Sequence, residues 1–106
     1  MATIIIGGQT NDFIELYHYD STILNSISKG KFWTTYKTDS SSDAKRMTGS
    51  TNYLNYRITA KVNHKLVYDY FIDAGTKWGP QGYGAALEYK NRNDITREFI
   101  TINKIH

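Results

Sequence analysis

From Tyr53 to Val62 the side chains alternate: Leu54, Tyr56, Ile58, Ala60 and Val62 fall on one side of an extended chain, and Tyr53, Asn55, Arg57, Thr59 and Lys61 on the other. A period of 2 sustained over such a run calls for a strand with one core face and one wet face. The next run, Leu66 to Ile72, sets Leu66, Tyr68, Tyr70 and Ile72 against Val67, Asp69 and Phe71, so its second face is only half polar, as a central strand requires. Between the runs, Asn63-His64 has the two-residue spacing of a tight hairpin, and Asn tolerates the positive φ that such a turn needs. The sequence therefore predicts an antiparallel hairpin over 53–72, and the rest of the chain is read around it.

Thr3 to Ile6 reads as a first strand ended by Gly7-Gly8, with Gln9 to Asp12 as a turn into a second strand, Phe13 to Tyr19, that pairs with it. Ser21 to Ser28 carries Ile23, Leu24 and Ile27 at helix-like spacing, but Asn and Ser are interleaved and a loop with buried anchors fits equally well. A third strand, Lys31 to Tyr36, alternates Phe32, Thr34 and Tyr36 against Lys31, Trp33 and Thr35. The serine-rich stretch Lys37 to Asp43 reads as a mobile surface loop. After Ile72, residues 73–84 hold the only proline, one of two tryptophans and four of the eight glycines, a long loop for so small a chain. Ala85 to Lys90 and Ile95 to Ile105 supply the last strands. No segment sustains a helical period of ten or more residues, so the expected fold is all-β: a single antiparallel β-sandwich domain over 1–106.

Composition narrows the function. The chain of 106 residues has room for one core and one site, and nine of its fifteen aromatics are tyrosine, which joins a β-favouring ring to a polar tip. A net charge of +3, with the thirteen Lys and Arg scattered, is milder than a dedicated nucleic-acid binder would show, so no nucleic-acid partner is expected. There is no cysteine for a disulfide or thiolate chemistry. Ile4-Ile5-Ile6 is too short for a signal core or a membrane span, so no targeting segment is read and the compartment stays open, with release lacking a signal peptide among the routes.

Catalysis has little to stand on. His18, His64 and His106 lack zinc-site spacing, no Ser lies in a nucleophile elbow, and the glycines at 79, 82 and 84 precede no helix pattern that a phosphate loop needs. The expectation is a non-enzyme without cofactor or metal. Binding candidates are aromatic and basic. Trp78 and Tyr83 beside Lys77 can insert rings at the headgroup level of a bilayer or stack on a sugar, or Trp78 can fold back to cap the core. Lys31 and Trp33 form a second cluster if Phe32 points inward; the opposite register buries Trp33. Arg57 and Lys61 form a stripe that either meets anionic lipid or is simply solvated.

The order of these features resembles the aegerolysins and the wider actinoporin-like cytolysins and fruit-body lectins: an opening strand and turn (Thr3 to Leu16), a Gly-then-aromatic strand (Gly30 to Trp33), a Gly-led strand with Tyr (Gly49 to Ile58), and an aromatic strand leading through Asp into a Gly-rich loop (Leu66 to Gly82). The chain is shorter than most such proteins, and its proline sits at position 80 instead of in an Asp-x-Pro step. The resemblance implies a small β-sandwich that binds membrane lipid or glycan through loops at one end, as a toxin component acting with a larger partner protein or as a homo-oligomer. The alternative is a protein-binding module, an inhibitor or an oligomer-forming structural protein, that uses an exposed β face. The direction of the rings decides: aromatics on loops favour lipid or sugar, aromatics on a sheet face or edge favour a protein partner.

Overall fold

A computed structural model describes residues 5–6, 12–75 and 88–106. Its organising strand is β5, Tyr56–Asn63, as the alternation demands, but its partner is not the run that follows it. Strand β2, Phe13–Asp20, lies antiparallel along the whole of β5, from Phe13 opposite Asn63 to Asp20 opposite Tyr56. The other edge of β5 is shared: β9, Thr101–Lys104, pairs antiparallel with 56–59, and β1, Ile5–Ile6, pairs parallel with Lys61 and Val62. Beyond β2 the sheet continues through β4, Phe32–Thr34, then β7, Glu88–Asn91, to β6, Phe71–Gly75, at the far edge. Six strands are thus antiparallel and β1 is added in parallel; a second, two-stranded sheet pairs β3, Ser26–Ile27, with β8, Ile95–Thr96. The chain is mostly β, and the large sheet does not close on itself.

Three expectations are corrected. The 53–72 hairpin does not form, because both edges of β5 are already occupied and Asn63 uses its side chain otherwise: Oδ1 accepts from the Lys65 N–H at 2.9 Å and caps a 3₁₀ turn, His64–Leu66. A short helix, α2, Val67–Tyr70, follows, so only Phe71 and Ile72 of the predicted return run lie in a strand. The first strand pairs with β5, not with the second. The serine-rich loop gives way to helix α1, Ser41–Thr48. Ser40 caps it by accepting from the Asp43 N–H, Asp43 favours the positive end of the dipole, and Gly49 ends it at φ 69°, a left-handed conformation that glycine adopts without penalty.

The alternation divides the packing into two clusters. Leu16, Ile58, Ala60, Val62 and Ile102 project from one face of β2, β5 and β9 and meet Trp33, Phe71, Tyr89, Val67, Ile100 and Ile27 in the main core. On the opposite face Tyr17 and Tyr19 pack with Leu54, Ile105 and Ala44 of α1. Leu54 therefore belongs to the face assigned to solvent, because it precedes β5 and does not share its alternation. That face is not wet at this end: Arg57, Thr59 and Thr101 are buried, and Arg57 bonds to the segment leading into α1.

Candidate functional site

Trp33, Tyr89 and Phe71 turn into the core, so the pleat sends the intervening residues of the same strands the other way. Phe32 lies opposite Lys90 and Lys90 opposite Ile72, giving one row across β4, β7 and β6 on the sheet's outer face. Phe32 is 49% exposed and Ile72 46%, large apolar exposures for adjacent strands. The Lys90 Nζ sits 4.7 Å from the Phe32 ring centroid, a cation over a ring face. Tyr70, also exposed, adjoins the row, for its carbonyl accepts from the Arg92 N–H at 2.8 Å and extends the β6–β7 ladder; the Arg92 Nε donates to the Tyr68 carbonyl at 2.8 Å. Among the described residues no carboxylate forms an ion pair with Lys31, Lys90 or Arg92.

Two buried groups fix this row. Asn91 is the first: its Oδ1 accepts from the Trp33 indole N–H at 3.2 Å and the Lys31 N–H at 3.0 Å, while its Nδ2 donates to the carbonyls of Ser28 and Asn93 at 2.9 Å and lies 3.4 Å from that of Ile27. His18 is the second: its Nδ1 donates to the Phe32 carbonyl at 2.8 Å, its ring lies 5.6 Å from that of Trp33, and its Nε2 faces Asp20 at 3.2 Å. The hydrogen bond from His18 holds the Asp20 carboxyl below its usual range. At the row's inner end Glu88 is buried opposite Thr34, and its Oε2 has no hydrogen-bond partner among the described residues; burial pushes its pKa up.

The basic stripe divides. Arg57, 8% exposed, donates to the Thr38 carbonyl at 2.9 Å and to Asp39, which that hydrogen bond holds below the usual carboxylate range. Around it Tyr19 donates to the Tyr36 carbonyl at 2.6 Å and accepts from the Thr38 N–H at 3.0 Å, and burial pushes its pKa up to about 12. Burial also raises Tyr17, whose hydroxyl donates to Glu15 at 2.7 Å. This network anchors the chain that leads into α1, so Arg57 is a buried structural cation, neither the lipid-facing contact nor the solvated side chain that the alternation allowed. Lys61 is half-buried with its Nζ 5.6 Å from the Phe13 ring centroid.

Of the other expected contacts, Trp33 has no exposed surface, which removes it from any binding surface; the register that turns Phe32 outward is the one present. Lys31 is exposed next to Phe32 in sequence, and its backbone N–H donates to the Asn91 Oδ1 at 3.0 Å. Trp78, Tyr83 and Lys77 lie outside the described residues. Phe32, Lys90, Ile72, Tyr70 and Arg92 were not singled out as a set, because they come from four elements and only the β4–β7–β6 pairing brings them together. Among the described residues no group of three or more His, Cys, Asp or Glu could hold a metal ion. No protein-family model, curated protein or solved structure matches the chain.

Proposed function

We propose that this chain is a recognition module that acts by docking a protein partner, without catalysis, and that it docks through the Phe32–Lys90–Ile72 row. The observation that carries the reading is the exposed apolar pair on adjacent strands, set around a cation and running to the edge strand of the sheet. Isolated exposed side chains need no explanation, but a contiguous row on a sheet face, supported from beneath by Asn91 and His18, has the character of an interface centre. Rings on a sheet face favour a protein over a lipid or sugar, which is why the second of the two sequence readings is preferred. The lipid or glycan reading rests chiefly on Trp78, Tyr83 and Lys77, and binding to vesicles or a glycan array by the wild type but not by Trp78→Ala would restore it.

A photo-crosslinking residue placed at Phe32 tests the proposal in a lysate of the source organism, with the same residue at Asn103, an exposed position on β9, as control. One protein species should crosslink from position 32 and not from 103. Excess unlabelled wild type should displace it, and excess Ile72→Asp should not. Equal labelling from both positions, or displacement by Ile72→Asp, would overturn the reading.

A further inference from the structure

The β6 edge offers more than side chains. Because the Arg92 N–H donates to the Tyr70 carbonyl, the alternation of an antiparallel ladder makes Ile72 and Lys90 the next hydrogen-bonded pair and turns the backbone groups of Phe71 and Asp73 away from β7. The Phe71 N–H is taken by the Val67 carbonyl, which leaves the Phe71 carbonyl and both polar groups of Asp73 along an edge that no strand covers among the described residues. Natural edges are blunted by lysine, proline, a bulge or a covering element; β6, with the sequence Phe-Ile-Asp-Ala-Gly, carries neither lysine nor proline, keeps its register from Phe71 to Asp73 before it shifts at Asp73/Gly75, and exposes Ile72. An edge uncovered among the described residues, with an apolar side chain beside it, suits one mode of recognition, addition of an extended segment as a further strand.

The charges select the occupant. Lys90 stands in the row and Arg92 follows it two residues on, against one exposed carboxylate on α2, Asp69, while Asp94 accepts from the Lys29 N–H. A second copy of this chain, itself at +3, would bring like charge to like charge, whereas an acidic segment meets complementary charge at the rim and backbone at the edge. We infer that the partner presents an extended acidic segment with alternating apolar residues, which adds as a strand to β6 and sets its carboxylates against Lys90 and Arg92. This deepens the docking reading above and rests on it.

The test uses the whole chain, ¹⁵N-labelled, titrated with a blocked octapeptide that alternates valine and glutamate. Parallel arms use its valine-lysine counterpart and vesicles of phosphatidylcholine with phosphatidylserine. The acidic peptide should shift the amides of 71–73 and 88–91 and slow hydrogen exchange at the Asp73 N–H. Its affinity should fall about tenfold in Lys90→Glu and fall again with added salt, and the lysine peptide should shift nothing. The inference is overturned if the acidic peptide shifts no β6 amide at millimolar concentration, if both peptides act alike, or if only the vesicles bind. Shifts on the Phe32 row without protection at Asp73 would reject strand addition while leaving the docking face in place. Concentration-dependent sedimentation as a dimer with β6 protected would assign the edge to a second copy and reject the acidic partner.

Discussion

Replacing Asn91 by alanine tests whether one buried amide holds the outer strands in register. The side chain accepts from two N–H groups, donates to two carbonyls and approaches a third, that of Ile27, at 3.4 Å, and its truncation leaves different deficits at each. The Lys31 N–H and the carbonyls of Ser28 and Asn93 belong to exposed residues and can turn to water. The Trp33 indole N–H and the Ile27 carbonyl belong to residues with no exposed surface and cannot. At about 1–3 kcal/mol for each buried group left unpaired, Asn91→Ala should cost about 3–5 kcal/mol. In a domain of this size that corresponds to a fall in Tm of about 15–25 °C. Asn91→Asp sharpens the test. It keeps the oxygen that accepts from Trp33 and Lys31 but aims a second carboxylate oxygen at carbonyl oxygens, so at neutral pH it should be at least as damaging as alanine and should recover in acid as it gains a proton to donate. Urea unfolding followed by tryptophan fluorescence measures both variants. A loss under about 1 kcal/mol for Asn91→Ala, or a neutral-pH Asn91→Asp as stable as the wild type, would refute the hub.

Three further outcomes follow from the same structure. Ser40→Ala removes the α1 cap and should lower stability by about 1 kcal/mol, with Ser40→Asp, which keeps a capping oxygen, costing less; no loss in Ser40→Ala would show that the hydroxyl is not the capping group. Glu88 has a folded-state pKa raised by burial, so its contribution to stability is fully present below the unfolded carboxylate value and is lost as pH rises through the folded one. Glu88→Gln should therefore stabilise the protein at neutral pH and lose that advantage in acid, as thermal melts across pH will show. Asp20, Asp39 and Asp43 are shifted the other way, down, by hydrogen bonds from His18, Arg57 and Tyr36 respectively, so the stability they confer is present above the unfolded aspartate pKa and is lost as pH falls through their folded values. Asp20→Asn should flatten that acid limb, and an unchanged limb would deny the His18 contact.

Local pattern carried the strands and not their partners. The alternation in 13–19 and 56–62 is present in the side chains themselves, so β2 and β5 were legible, as was the apolar set Ile58, Ala60 and Val62. Their mutual pairing was not, because nothing local records that β5 takes β2 on one edge and β9 with β1 on the other. Asn63 fits a hairpin turn and an N-cap equally well, and the choice between them was made by those occupied edges. The helix α1 did leave a signal, Ser40 with an acid three residues on and Gly49 after the last turn, which the surrounding serines masked as low complexity. At the site, alternation offered two registers for Phe32 and Trp33. The one adopted lets the indole N–H reach Asn91, a partner 58 residues away that no local rule connects to it.

The claim that most depends on all of this is that the Phe32–Lys90–Ile72 row is the centre of an interface. With the crosslinked partner purified, calorimetric titration of wild type, Ile72→Ala and Tyr53→Ala decides it, since Tyr53 is no less exposed than Ile72 but lies elsewhere, under the Lys45 ammonium. Loss of an apolar anchor at an interface centre should weaken binding by about tenfold or more for Ile72→Ala and leave Tyr53→Ala at wild-type affinity. Undiminished binding by Ile72→Ala, or a larger loss at Tyr53, would contradict the account.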